Sequence, residues 1–555
     1  MTAAEATQVD IAVVGAGVSG VYCAWRLAMS DEYRDAQIAV YELSDRVGGR
    51  LVSAEPPGMP NVSVELGGMR FFSSQRNVYG LVTRELRLPI VELSADEPEN
   101  LGFFRGERYR RWQFEPPARS NGTGSLPYRV AGGYQPPAGL PFKVDWEERE
   151  IAPTDLLLYA VMMAVPAYNP ADDPATRKGT LRAATFDGRM LGEWGFWNLL
   201  ARVLSREAYE LMKAVVGYDS TFLNLNAVDS ILENLDFDPA VKKYRVVTGY
   251  DQVPLQLAKR FRQAGGSVHF GHRLRELDMR AGGEGADKVV ATFDADDEAG
   301  GHREVVVDAD RLILAMPRTS LEGLRQVGPL LGRRQTHVHA LLRTVSPDPL
   351  FKIAITYAAP WWQAFGVTKG RSLSDQPIRQ CYYWGVEGQE PGGDPENHNG
   401  VLLFYNDAES VDFFRGYMNS TDYFEGRPNP WVGPRAAGSP SWHRHPAPRR
   451  LVQAAHRQVV EMHGAKGVPE PYSAAVIDWS GYPYGGGANF WKAGVNSDAV
   501  IPEVAQPKAD LPIYIVGEAY SGSQSWVEGA LETSELVLQT KFGLTPPPWV
   551  ETSSG

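Results

Sequence analysis

The sequence predicts an α/β protein, in which a doubly wound, Rossmann-like nucleotide-binding domain is interrupted by a mixed-sheet substrate domain and a helical insertion. Three observations carry this reading. A strand, glycine turn and helix open the chain at "DIAVVGAGVSGVYCAWRLA". A second α/β segment closes it, "LPIYIVGEAY" followed by "WVEGALETSELVLQT". Finally, 555 residues exceed the roughly 250–300 at which a single core stops growing, so two or three lobes with clefts between them are required.

In the first segment the apolar run before Gly15 reads as a buried strand, and Val21, Ala24 and Leu27 fall on one face of the helix that follows. "QIAVYE" supplies the next strand and completes a β-α-β unit. The nucleotide domain is assigned to residues 1–75, 245–325 and 476–555, the substrate domain to 76–150 and 326–475, and the helical domain to 151–244. From Thr154, read as an N-cap, to about Leu235 the period is helical, as in "NLLARVLSREAYELMKAVVG". "KVVATFDADDEAGGHREVVVDADRLILAMP" reads as strands around a Gly/Asp hairpin turn. Short aromatic strands dominate from Leu341 to about Tyr405, and Asn419 to Pro448, rich in Pro and Gly, reads as a surface loop.

Composition narrows the function. With 43% apolar, 22% charged and 11% aromatic residues the chain is a folded globular protein. A net charge of −12 opposes binding to nucleic-acid phosphates or to anionic membranes, leaving a small-molecule partner. The longest apolar run, Leu156 to Val165, stops at Pro166, about half of what a bilayer requires. The start "MTAAEATQVD" has neither a basic nor an apolar leader region, and Cys23 and Cys381 are the only cysteines, so a reducing cytoplasm is expected. His337/His339, in a mixed, strand-like run, and His443/His445, in a Pro-rich loop, have no third ligand in view, so no metal is expected.

Gly15, Gly17 and Gly20 form G-x-G-x-x-G between a strand and a helix, where backbone amides at the helix N-terminus can hold a pyrophosphate. Glu42, at the end of the second strand, is placed to accept from a ribose hydroxyl and disfavours a 2′-phosphate. In the following "LSDRVGGR", Arg50 beside Gly49 can approach a diphosphate closely, whereas Arg46 reads equally well as solvated.

At these residues the sequence resembles the flavin-dependent amine oxidase superfamily, in which G-x-G-x-x-G followed by E-x-x-x-R-x-G-G-R binds FAD. Three further segments extend the resemblance. "GGSVHFGHRLREL" is similar to the family's second FAD segment, which implies that the backbone at Leu274 holds the adenine, and "RLILAMP" to the strand that ends that insertion. "YIVGEAYSGSQSWVEGAL" is similar to the closing motif, with Gly517 and Glu518 on the ribityl side and Trp526, Val527 and Gly529 around the flavin ring.

"ELGGMRFF" resembles the L-amino acid oxidase branch, which includes the amino acid 2-monooxygenases. There Gly68, Met69 and Arg70 adjoin the cofactor, and Arg70 clamps the substrate α-carboxylate. Chemistry supports the placement, since a guanidinium in an apolar cleft is costly until an acid group pairs with it. The resemblance further implies that Lys352 in "PLFKIAITYAAPWW" holds a water near flavin N5 and that Tyr405 in "NGVLLFYNDAES" joins the clamp. The carbonyl of Ser525, where venom-type members carry glycine, orients the amine. Asp219, in "VVGYDSTFLN" beside Tyr218, is a candidate partner for a basic substrate side chain, although a capping or loop aspartate fits it equally. No counterpart of the helical-domain histidine found in some members is evident.

The implied reaction is oxidation of an L-amino acid, with a basic or large side chain, to a 2-oxo acid, ammonia and peroxide by hydride transfer to flavin N5. An oxidative decarboxylation to an amide, and a redox-silent FAD-fold binding protein, are the alternatives. The resemblance implies a homodimer, while the residues themselves leave the oligomeric state open.

Overall fold

The computed structural model describes residues 6–94, 96–114, 140–149, 151–235, 241–281, 287–296, 301–433 and 437–550. Strands from both ends and the middle of the chain share one seven-stranded sheet. Thr7–Val14 is its central strand, parallel to Ile38–Tyr41 on one side and to the second half of His302–Leu314 on the other. Ser267–His269 extends it beyond Ile38–Tyr41, and Ile513–Ile515 adds to Leu312–Leu314. Residues 11–14 are all buried because helices cover both faces, so the central strand reads as an unbroken apolar run. The hairpin expected from the Gly/Asp-rich stretch pairs Lys288–Asp296 with His302–Leu314 antiparallel, and His272–Arg280 completes that edge.

The glycine turn is tight for steric reasons. Gly15 has φ +107°, and a Cβ there would lie 2.5 Å from the Ala315 carbonyl oxygen. A Cβ on Gly20 would lie 1.9 Å from the Gly15 carbonyl oxygen. The helix Val18–Ala28 therefore starts hard against the strand, with Gly17 as an N-cap that makes no side-chain bond. Its far side docks on the closing helix Val527–Lys541, where Glu535 accepts from the Tyr22 hydroxyl (2.6 Å) and from Arg26 Nε (2.9 Å).

A second seven-stranded sheet runs in the order Ser473–Asp478, Leu350–Tyr357, Gly400–Asp407, Gln380–Val386, Arg371–Ser374, Leu101–Phe104, Glu107–Arg110. Alternation divides its two faces. Phe351, Ile353, Cys381, Tyr383, Leu402 and Phe404 pack in one core with the helix Arg449–His463. The opposite face carries Lys352, which pairs with Tyr405, which pairs with Gln380, so three polar residues stand abreast. In the next row Arg371 stands opposite Tyr382.

Helices Leu156–Ala164, Pro174–Ala183, Phe196–Val203, Arg206–Val216 and Ala227–Leu235 build the helical region. Two local readings change. Thr154 lies inside the 3-10 turn Pro153–Asp155 rather than capping a helix, since the proline starts the turn one residue earlier. His337 and His339 lie on the helix Thr336–Leu342, not on a strand, and His337 bonds Glu503 at 2.6 Å. Helix Arg206–Val216 ends at Gly217, φ +78°, which delivers Tyr218 to the polar face of the second sheet.

Gly20→Ala forces the first helix off its strand. The expected outcome is a loss of about 1–3 kcal/mol in urea unfolding together with a lower content of the nucleotide cofactor that the resemblance implies; unchanged values in both would refute this account of the turn.

Candidate active site

A cavity of about 830 Å³ runs from the glycine turn to the polar face of the second sheet. Gly15, Gly17, Val18 and Ser19 line one end, with the amides of the first helix turned toward it. Glu42 and Leu274 line the same end. Glu42 accepts from the Ala16 amide (2.6 Å) and from the amide and hydroxyl of Ser44 (2.9 and 2.8 Å), so three of its roughly four acceptor sites are taken and one is left over. Arg46 is not solvated: its guanidinium donates to the carbonyls of Val47, Gly49 and Leu51 and ties the loop into shape.

Glu518 is the knot of the middle section. It is 5% exposed and accepts from Arg50 Nη2 (2.7 Å), the Asn489 amide (2.8 Å), Asn489 Nδ2 (3.2 Å) and the Ser525 amide (3.0 Å). With those sites filled, Glu518 holds Arg50 and Ser525 rather than offering a lone pair to a ligand. Gly49, Arg50, Gly68, Met69, Gly517, Trp526 and Val527 also line the cavity, and the closing helix begins at Val527 with its N-terminus at the wall.

At the far end stands Arg70, placed by the strand Phe71–Phe72, which pairs with Lys243–Val246. Arg70 Nη2 donates to the Tyr218 hydroxyl (2.7 Å) and Nη1 to the Tyr382 hydroxyl (3.4 Å), and the guanidinium lies 5.9 Å from the Trp526 ring centre. No carboxylate among the described residues pairs with it. Arg371 stands close by over the Tyr218 ring at 5.3 Å, but Asp96 (3.0 Å) and Gln380 (2.7 Å) already hold it. Burial alone would weaken the Arg70 charge, yet Tyr218 and Tyr382 more than offset it. Burial would likewise raise the Tyr218 phenol, but Arg70 and Arg371 outweigh this and draw it below its usual value. The Tyr405 ring stands edge-on to Tyr218 with centres 5.3 Å apart, and its hydroxyl has no partner among the described residues.

Lys352 is 1% exposed and points into the cavity wall, where Nζ donates to the carbonyls of Glu65 (3.2 Å) and Gly67. Burial holds it below the usual lysine range, with Glu65 working the other way. Ser525 has φ +70°, a left-handed conformation costing about 1–2 kcal/mol for a non-glycine residue. Its hydroxyl donates to Glu233 at 3.0 Å.

Asp219 is a correction. It is 5% exposed and outside the cavity lining, with Oδ1 3.1 Å from Arg379 Nε and 3.9 Å from Lys213. A carboxylate already neutralised by a buried guanidinium has no charge left for a substrate. Sequence reasoning gave no role to Tyr382, Arg371, Gln380, Glu233 or Asp348. The alternation of "RQCYYW" could have placed Gln380 and Tyr382 on one face, but nothing local says which face meets the cavity.

The flavin containing amine oxidoreductase profile matches residues 18–537. Aplysianin-A of Aplysia kurodai is 26% identical, covering 96% of this chain and 90% of its own. The flavin-dependent L-tryptophan oxidase RebO of Lentzea aerocolonigenes is 23% identical, covering 94% and 96% respectively. Putrescine oxidase bound to putrescine shares the fold with a TM-score of 0.62 at 17% identity, over 97% of this chain and 100% of that one. Secreted proteins, Aplysianin-A among them, stand in this group, which overturns the expected cytoplasmic location. The cysteine argument failed because both thiols are fully buried in separate cores, where they remain unpaired in any compartment.

Glu518→Ala strips Arg50, Asn489 and Ser525 of one shared acceptor. It should cost about 3–5 kcal/mol in thermal unfolding, with Glu518→Gln recovering part of that; a change within the range of a surface substitution would refute the role.

Proposed function

The chain belongs to the flavin containing amine oxidoreductases, with FAD as cofactor, and from that premise we propose that it is an L-amino acid oxidase. The net reaction takes an L-amino acid, oxygen and water to a 2-oxo acid, ammonia and hydrogen peroxide. One observation carries the reading: Arg70 is a cavity-lining guanidinium without a carboxylate partner among the described residues. An amine substrate would leave that charge uncompensated, whereas an α-carboxylate answers it through two parallel bonds.

The residues present fit FAD. The close-packed Gly15–Gly20 turn and the amides at Val18 and Ser19 would hold the diphosphate, with Arg50 beside them. The remaining acceptor site of Glu42 suits a ribose hydroxyl, the Leu274 backbone the adenine, and Gly68, Met69, Gly517, Trp526 and Val527 the ring end. When bound, FAD supplies the acceptor of the two electrons and the route by which they reach oxygen.

The chain's own residues do the positioning. Arg70, steadied by Tyr218 and Tyr382, fixes the carboxylate, and the open hydroxyl of Tyr405 adds a donor. The Ser525 carbonyl accepts from the amine. Fixing carboxylate and amine leaves the two enantiomers presenting different groups in the remaining directions, so such a site would accept one hand, and holding a productive geometry is worth up to roughly 7–11 kcal/mol of barrier. Trp526, packed on Phe72 with ring centres 4.7 Å apart, walls the site from water. Lys352, whose ammonium form burial disfavours, donates to the Glu65 and Gly67 carbonyls and would hold a water through its remaining hydrogen-bonding capacity.

Anaerobic titration of the yellow holoenzyme with the twenty L-amino acids tests this. At least one should bleach the flavin band, its D-enantiomer should be silent, and turnover should release ammonia and peroxide rather than an amide and carbon dioxide. Arg70→Ala should lower kcat/KM by about 2–5 kcal/mol, roughly thirtyfold to several thousandfold. A loss no larger than a surface change gives would sink the carboxylate assignment.

A further inference from the structure

Charge balance in the cavity extends this reading. Besides Glu42 at the glycine-turn end, which amides and a hydroxyl hold, two carboxyl groups line the wall without a cationic partner among the described residues. Asp348 is 2% exposed, and its Oδ1 has no hydrogen-bond partner among the described residues. Glu233, on helix Ala227–Leu235, accepts among the described residues only from the Ser525 hydroxyl. Neighbouring acids are compensated in ways these two are not. Asp219 is paired with Arg379, and Asp407 accepts from the Asp219 amide (2.9 Å) and the Ser220 hydroxyl (2.6 Å).

Burial pushes the Glu233 carboxyl up to about 8, and burial together with Asp407 and Glu233 holds Asp348 well above the usual carboxylate range. Glu233 thus opposes ionisation of Asp348, and a cation entering the cavity would relieve that opposition. Ser525 adds a second sign of construction. A serine takes the left-handed backbone at a turn where glycine would sit without strain, and its hydroxyl is spent on Glu233.

A neutral L-amino acid brings one carboxylate, answered by Arg70, and one ammonium. That single ammonium cannot satisfy two carboxyls. We propose that Glu233 and Asp348 form a cation subsite, and that the substrate class is L-amino acids whose side chain ends in an ammonium or guanidinium. The inference rests on the oxidase reading. It replaces Asp219 in that role with groups that face the cavity and have no partner of opposite charge.

The test is stopped-flow anaerobic reduction of the holoenzyme by L-lysine, L-ornithine and L-arginine against norleucine and leucine. The basic substrates should show a ratio of reduction rate to Kd about 10²-fold or more above norleucine, because a site built for a polar group rejects the analogue lacking it. Glu233→Gln and Asp348→Asn should each cut the lysine-to-norleucine ratio at least tenfold, through Kd. A wild-type ratio near one, or an unchanged ratio in both variants, overturns the subsite. Should a variant fail to fold, binding to the wild-type holoenzyme decides: 6-aminohexanoate, which has no α-amine to oxidise, should perturb the flavin spectrum at tenfold or more lower concentration than hexanoate, and equal affinities refute the proposal. Reduction by neutral L-amino acids alone sinks the cation subsite and spares the oxidase. Reduction by 1,5-diaminopentane and by no amino acid does the reverse, sinking the carboxylate reading while leaving cation selection in place.

Discussion

The arrangement depends on a positive charge that the protein keeps half-buried and leaves without a counter-ion among the described residues. Arg70 is held by two phenols, which can accept hydrogen bonds but carry no full charge, so its field is directed into the cavity rather than quenched. The surrounding architecture follows from that constraint. Tyr218 must descend from the helical region, Tyr382 must rise from the second sheet, and Phe71–Phe72 must anchor the arginine's own backbone. Three parts of the chain distant in sequence therefore converge on one side chain. The long closures needed to bring them together are offset by the cores behind each of them.

Neighbouring charges show the contrast. Arg371, Arg50 and Asp219 are each neutralised within the protein, by Asp96, Glu518 and Arg379. Such pairs add little net stability when buried but fix geometry, because losing either partner strands the other. They act as struts. Arg70, Glu233 and Asp348 have no opposite-charge partner among the described residues and line the open volume. The difference between a strut and a charge left open to the cavity is thus one of pairing, not of residue type.

The second sheet explains how a cavity this polar coexists with a stable domain. Its strands alternate, so Phe351 and Ile353 enter a core while Lys352 between them faces the opposite way. Register then aligns Lys352, Tyr405 and Gln380 across three strands. A slip of one residue in any strand would send its polar members into the core, so packing on the apolar face guards the geometry of the polar one.

What the residues by themselves determined were the features that depend on local sterics and period. The glycine turn is one, since the close approach of Gly20 to Gly15 admits no side chain. The apolar central strand, the helical stretch ending near Leu235 and the choice of Arg70 as an arginine out of place are others. Tertiary structure decided everything that depends on pairing over distance. Asp219 and Glu233 are both acids of the helical region, and nothing in their neighbours along the chain distinguishes them. Only the fold places Arg379 against the first and open volume against the second. Charges announce themselves in a sequence, but their partners are assigned in space, and a site is made of the charges that space leaves unanswered.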